Sequence, residues 1–406
     1  MPLFLLVFVS VYGAMNAYCF WRIHAAFPGM GRWRVLLGAF LLLMLAAPFL
    51  VRSLDRARHF GLARGLGLIA YLWLAGLLWF CVMGWLVDGW NVLVRLVALA
   101  APPARAALAP PRPTLAVMVV AILAAGGWAW RQAGRIRVEE ITVEVPHLPA
   151  GADSLRIAEI ADLHLGGPRS EQRLAETVEI LRRLRPDVIV STGDLVDAEL
   201  HNIAHLAEPL RGLEAPLGKF AVLGNHEFYA GVNDSLAFHE AAGFRVLRGE
   251  SVSPAAGLRI AGVDDPGRGR PGPKRHTDEL AALPAGPRTA ATVLLKHQPR
   301  VAAAERFDLQ LSGHTHGGQI FPFNFVTALF YPLGSGRHDL PGGATVYVSR
   351  GTGTWGPPLR LGSPPEVTLV TLKRCVVQTA PAAGNTATRQ AGGAGRSRTQ
   401  PAPNGP

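Results

Sequence analysis

The chain is 406 residues long, 49% apolar and 17% charged, with a mean hydropathy of +0.23. Soluble domains carry about 25% charged residues, so this composition points to membrane segments, and the length suits two domains rather than one. The net charge of +11 would suit a nucleic-acid binder, but residues 1–130 hold ten Arg against two acids, residues 131–374 hold 27 basic against 27 acidic residues, and residues 375–406 hold three Arg. A neutral middle excludes a surface that tracks long nucleic acids.

Four apolar runs come first, at about Leu3–Trp21, Val35–Val51, Leu66–Val87 and Thr114–Trp130. Each is close to the roughly 20 residues an α-helix needs to cross a hydrocarbon core. Trp21, Trp85, Trp90, Trp128 and Trp130 fall near span ends, where amphipathic rings favour the headgroup layer. A buried soluble bundle is the alternative, and the near absence of charge inside the runs argues against it. The first run has no basic residue before it and no small-x-small site, so it reads as a span rather than a removable signal. Loop arginines divide six against seven between the two sides, which leaves the orientation open. Cys19 and Cys81 lie inside apolar runs and Cys375 at the edge of the tail. Without a Cys-x-x-Cys spacing, neither a disulfide framework nor a thiolate metal site is expected.

The organisation expected is a transmembrane region over 1–134, an α/β catalytic domain over 135–374 and a disordered tail over 375–406. Within the middle segment, β-branched runs predict strands at 136–146, 155–161, 187–192, 219–223, 258–263, 292–296, 308–312, 345–349 and 366–372. Helical patterns occupy about 170–184, 203–213 and 234–242. The tail is Ala, Gly, Pro, Thr and Arg, with almost nothing to bury.

Five short motifs stand just past predicted strands. They are Asp162-Leu163-His164, Gly193-Asp194, Gly224-Asn225-His226-Glu227, His297 within Lys-His-Gln-Pro, and Gly313-His314-Thr315-His316-Gly317-Gly318. Two histidines one residue apart can aim both rings at one centre if the backbone turns, and the flanking glycines ease that turn. Asp162 and His164 repeat the device. Carboxylate, imidazole and amide oxygen without thiolate suit Mn, Fe or Zn. Seven candidate ligands are too many for one ion and suit two that share a carboxylate. Singly, each motif is ordinary: Asp-x-His is more often a cap or surface pair, and Gly-Asp is usually a turn. All five in this order leave little room for a structural explanation.

In these motifs the sequence resembles the calcineurin-like metallophosphoesterase superfamily over about 155–373. Leu-Lys-His-Gln-Pro, Leu-Ser-Gly-His-Thr-His-Gly-Gly-Gln and Tyr-Val-Ser-Arg-Gly-x-Gly-Thr place it nearest the YkuE-like branch. The resemblance implies a four-layer α/β/β/α sandwich behind about four transmembrane helices. It implies that Asp162, His164 and His316 bind one metal and that Asn225, His297 and His314 bind the other, with Asp194 bridging. His226 would face the substrate, with Glu227 beside it to orient its ring; a surface role for Glu227 weighs about equally. Two divalent ions, with Mn favoured over Fe or Zn, would support attack by a hydroxide bridging them, while His226 stabilises the transition state or protonates the leaving oxygen. His147, His201, His205, His239, His276 and His338 lack such a motif and read as ordinary histidines.

The apolar run Ile320–Val326, followed by Leu329-Phe330-Tyr331, is either core packing or an exposed lipid-handling loop. Four spans in the same chain favour the loop. The expected function is therefore hydrolysis of a phosphodiester, phosphomonoester or pyrophosphate bond at a membrane, in a lipid head group. The expected partners are a phosphorylated, lipid-linked substrate and membrane lipids, and the expected location is the cell membrane, in multi-pass form. The alternatives are a phosphodiesterase for small nucleotides and a membrane sensor that binds a ligand without turnover. A sensor would show a lost ligand or a missing bridging carboxylate, and the sequence shows neither.

Overall fold

A computed structural model describes residues 2–167, 169–197, 203–267, 277–286 and 288–375. The tail expected over 375–406 lies outside the described residues except for Cys375.

Four long helices come first: α1 (Pro2–Ala26), α2 (Arg32–Arg56), α3 (Phe60–Ala100) and α4 (Pro111–Ala133). All four are long and apolar enough to cross a membrane. α3 outruns the expected Leu66–Val87 by a wide margin, at 41 residues. That is about 60 Å at the rise of an α-helix, near twice a hydrocarbon core. No proline interrupts it until Pro102, where the chain turns back along it. Trp90 Nε1 donates to the Ala107 carbonyl at 2.9 Å, and the Ala109 amide donates to Asn91 Oδ1 at 2.9 Å. At that same end, Asp88 of α3 meets Arg22 and Tyr18 of α1, and Arg112 of α4 donates to the Ala26 carbonyl at 2.9 Å.

The rest of the described chain forms two six-stranded sheets. The first has the order β1 (Arg137–Val145), β12 (Glu366–Arg374), β2 (Ser154–Ile160), β3 (Val188–Ser191), β4 (Lys219–Ala221), β5 (Arg245–Val246). The second has the order β10 (Gly336–Asp339), β11 (Thr345–Val348), β9 (Leu309–Ser312), β8 (Ala291–Lys296), β7 (Leu258–Val263), β6 (Glu250–Ala255). Alternation along the strands builds two apolar layers at once. Leu155, Ile157, Val188 and Val190 meet Ile260, Val293, Leu295 and Leu311 between the sheets. Ala158, Ile160 and Ile189 face outward onto α5 (Ser170–Leu184), α6 (Ala207–Arg211) and α8 (Val232–Ala241). The second sheet covers its outer face with Ala282, Leu283, Ala303 and Phe307. This is the expected α/β/β/α sandwich.

Sequence reading missed β5, β6 and β10, which lie at the sheet edges and carry Arg245, Pro254, Gly336 and Arg337. Edge strands carry such residues because one side of each has no partner strand. It also missed α7 (Asn225–Ala230), the single turn α9 (Glu279–Ala282) and α10 (Phe323–Phe330).

The domain rests on α3 and α4. Trp79 Nε1 donates to the Phe321 carbonyl at 2.8 Å, the Arg360 amide to the Ala129 carbonyl at 3.1 Å, and the Gly362 amide to Gln132 Oε1 at 3.0 Å. Ile320 and Leu359 pack with Ala75, Trp79 and Ala129.

Candidate metal centre

Five loops converge past the C-terminal ends of β2, β3, β4, β8 and β9, where open α/β sheets place their ligand sites. Asp162 and His164 follow β2, Asp194 follows β3, Asn225 follows β4, His297 follows β8, and His314 and His316 follow β9. The turns are sharp. Asp162, His164, Asp194, His314 and His316 all hold φ between 50° and 71°. These are five of the nine non-glycine residues with positive φ among those described, and such strain persists only where surrounding structure enforces it. Two glycines permit the crowding. A Cβ at Gly224 would lie 2.2 Å from Asp194 Oδ1, and one at Gly313 would lie 2.2 Å from Asp162 Oδ2.

The seven expected ligands come together in two halves. In one, His164 Nε2 and His316 Nε2 are 3.1 Å apart, and His316 Nε2 is 3.6 Å from Asp162 Oδ1. In the other, His297 Nε2 lies 3.2 Å from Asn225 Oδ1 and 3.0 Å from His314 Nδ1. Asp194 stands between them, its Oδ2 3.2 Å from His297 Nε2 and 3.9 Å from His164 Nε2. Three overlapping groups, Asp162-His164-His316, His164-Asp194-His226 and Asp194-His297-His314, keep their donor atoms within 4.8 Å of one another. Asp194 is common to two of them. His297 Nδ1–H donates to the Thr192 carbonyl at 2.9 Å, which turns Nε2 toward the cluster.

Electrostatics favour a cation here. Burial pushes the Asp162 carboxyl up to about 7, against the pull of His297. Burial pushes His164 down to about 4 and His316 well below the usual range, so both rings are neutral, as ligands must be. Burial works to raise Asp194, but the His297 charge beside it outweighs that and holds it well below the usual carboxylate range. Burial likewise opposes charge on His297, and Asp194 overrides it. Buried carboxylates facing buried imidazoles, those of His164 and His316 neutral, with oxygen and nitrogen donors only, fit divalent cations of the Mn, Fe or Zn kind.

His226 lies at the edge of this cluster, its ring centroid 4.6 Å from that of His164. The partner of its ring is Asp197, at 2.8 Å from Nδ1 to Oδ1. Burial alone would lower the His226 pKa, but Asp197 and then Asp194 raise it to about 9. Glu227 does not orient that ring, nor does it lie at the surface. It is fully buried, and its carboxylate accepts four backbone amides: Asp194 at 3.0 Å, Leu195 at 2.8 Å, Val196 at 3.2 Å and Gly224 at 2.8 Å. Burial, and after it the Asp194 charge, push Glu227 up to about 7. It fastens the β3 loop to the β4 loop.

Three further residues, none of them singled out from the sequence, support the site. His314 Nε2 lies 2.8 Å from Tyr331 Oη. Arg360, fully buried, donates to the carbonyls of His316, Arg350, Gly351 and Gly353, and its Nη2 stands 3.1 Å from His316 Nδ1. Gln319 clamps the Trp355 loop through Trp355 N and O, each at 2.9 Å. Beside His226 stand the half-exposed rings of Tyr229 and Trp355, with centroids 5.3 and 5.9 Å away. Two of these carried a sequence signal: Asp197, three residues past Asp194 in Gly-Asp-Leu-Val-Asp, and Gln319, which ends the run Gly-His-Thr-His-Gly-Gly-Gln. Of the remaining histidines, His239 is buried in α8 with Nδ1 donating to the Ser235 carbonyl at 2.8 Å. His205 is exposed, His147 and His338 are half-buried, and His201 and His276 lie outside the described residues.

The calcineurin-like phosphoesterase profile matches residues 155–318. An uncharacterized metallophosphoesterase of Aquifex aeolicus is 44% identical over 259 residues, covering 63% of this chain and 98% of that one. A transmembrane protein with a metallophosphoesterase domain from Bos taurus is 35% identical, covering 64% of this chain and 62% of that one. The uncharacterized metallophosphoesterase YkuE of Bacillus subtilis is 32% identical, covering 62% and 92%. Among solved structures, a dimetal phosphatase from Danio rerio aligns with a TM-score of 0.33 at 15% identity, over 50% of this chain and 88% of that one.

Proposed function

The chain belongs to the calcineurin-like phosphoesterase family, and from that premise we propose that this metal-dependent phosphoester hydrolase works at a membrane on the phosphoryl group of a lipid. The observation that carries the proposal is that two loops beside the donor cluster rest on α3. The lip at Phe321 hangs on Trp79, and a Cβ at Gly356, next to Trp355, would lie 3.6 Å from the Tyr71 ring.

Asp162, His164 and His316 would hold one cation, and Asn225, His297 and His314 the other, with Asp194 shared. Two such ions supply Lewis-acid stabilisation of phosphoryl charge and acidify the attacking water. The chain's own groups do the rest. Glu227 and the glycines fix the spacing of the donor loops. His226, held by Asp197, is placed to give its proton to the departing oxygen. Tyr229 and Trp355 wall the approach to it. The helices α1–α4 would keep the domain at the bilayer, where lipid phosphoryl groups are locally concentrated.

The test is hydrolysis of a chromogenic bis-aryl phosphate by detergent-purified protein supplied with Mn²⁺, with Asp194→Asn and a chelator as controls. Activity is expected in wild type only, and chelation should remove it. Phospholipid vesicles then replace the aryl ester. Turnover of the aryl ester without turnover of any lipid phosphoryl group would remove the lipid substrate and return the small-nucleotide alternative.

A further inference from the structure

The run from Ile320 to Gly334 contains no charged residue. Its helix α10 buries none of its eight residues. Leu329 is 80% exposed, Phe330 66% and Phe325 63%, and Phe321 and Phe323 are half-exposed beside them. This is the apolar run for which the sequence favoured an exposed loop, and beyond its buried root Ile320 it is not core. Such a patch, contiguous and set against a polar site, marks an interaction surface.

What covers it follows from depth. Arg22, Asp88 and the Arg112–Ala26 contact gather at one end of the helical region. Counting back along α3 by the roughly 20 residues that a hydrocarbon core requires reaches about Leu68. Tyr71, Ala75 and Trp79 all lie inside that stretch. Yet Trp79 donates to Phe321, Ala75 packs with Ile320 and Leu359, and Tyr71 lies under Gly356. The root of the run is thus fixed below the membrane surface, on the flank of a spanning helix. At the rise of an α-helix, Tyr71 lies about 5 Å, Ala75 about 10 Å and Trp79 about 16 Å in from Leu68, so the attachment reaches at least the roughly 5–10 Å at which an apolar helix lies between head groups and acyl chains.

We propose that the Phe321–Phe330 lip is inserted in the leaflet bordering the catalytic domain, so that the donor cluster takes its phosphoryl group from a lipid that stays in the bilayer. This deepens the function proposed above and rests on the helices spanning the membrane. The occupant is lipid, because the exposed run carries no charge and its root, Ile320-Phe321, is packed on Ala75 and Trp79 of a helix long and apolar enough to span. At its far end Tyr331 touches His314, so lip and metal ligands move as one piece.

The test uses the full chain in vesicles of phosphatidylcholine with a minority of phosphatidylglycerol. A nitroxide is attached at Leu329→Cys in a Cys375→Ser background; Cys19 and Cys81 are buried and do not react. Glu240→Cys, exposed on α8, is the aqueous control. The ratio of relaxation by oxygen to relaxation by a water-soluble nickel complex should be several-fold higher at 329 than at 240. Equal ratios would place the lip in water and overturn the proposal. Shielding at 329 from both reagents would show protein cover, such as a second copy of this chain, and would also overturn it. Retained hydrolysis of the soluble aryl ester confirms that each variant folds. Because depth is read without turnover, a lip in lipid with no lipid hydrolysis removes the substrate and leaves the lip standing.

Discussion

Tyr331 Oη lies 2.8 Å from His314 Nε2, while the other nitrogen of that ring faces His297 at 3.0 Å. The phenol therefore fixes which nitrogen points at the metal centre. Its own proton reaches Gln298 Oε1 at 3.4 Å, and Arg300 lies over its ring at 5.4 Å. Partners of this kind set the orientation and basicity of ligating imidazoles. Tyr331→Phe should weaken metal affinity about 10- to 100-fold with the fold intact. Activity titrated against Mn²⁺ measures it, and an unshifted midpoint would remove Tyr331 from this role.

Asp197 and His226 form a second such pair. If Asp197 holds the imidazole as a proton donor, Asp197→Asn should slow turnover on the order of 100-fold for esters with poor leaving groups. Nitrophenyl esters, whose leaving oxygen needs little protonation, should be affected far less. A uniform loss across both ester types would assign Asp197 to structure alone.

Glu227→Gln tests the fastening of the two donor loops. The amide side chain keeps one acceptor oxygen but turns an NH₂ toward backbone N–H groups that now meet a carboxylate. Stability should fall by about 2–4 kcal/mol, since buried donors are left unsatisfied. Chemical denaturation with and without Mn²⁺ checks this, and unchanged stability would show that the four amide contacts contribute little.

His239 gives a prediction for acid stability. Burial pushes its pKa down to about 4, below the ordinary value of 6.5. The folded state therefore keeps the ring neutral, and the stability linked to it is complete above about 6.5. As pH falls from there toward about 4, the unfolded chain takes up the proton first and stability drops, by an amount on the order of 3 kcal/mol. His239→Leu should flatten that part of the profile relative to wild type. Denaturation midpoints at pH 7 and pH 4.5 read the difference.

The ligand set was legible because each motif stands just past an apolar run, with a glycine before it in three of the five motifs. The sheets were legible for the same reason. What escaped was every contact made across the fold. Asp197 and His226 are 29 residues apart, Tyr331 and His314 are 17 apart, and Arg360 and His316 are 44 apart. Glu227 follows His226 directly, which suggested a pair, but both sit in α7. Consecutive helical side chains diverge by about 100°, so one faces the cluster while its neighbour turns back to the β3 loop. The exposed loop after His316 was favoured from the sequence over core packing, but its helix α10 escaped, because a run apolar at every position shows no helical period.

The sheet order carries a consequence for synthesis. β12 lies between β1, with which it runs parallel from Arg137↔Glu366 to Val145↔Arg374, and β2, which it pairs antiparallel. Two strands made early must therefore wait for one made more than two hundred residues later. Until the ribosome has delivered Arg374, β1 stays tethered to α4 with no neighbour, and one edge of β2 stays open. Pairing over such separations is slow and leaves sticky edges exposed. Nascent chains stalled before β12 should be captured by holding chaperones at the membrane, and those stalled well beyond it should be released.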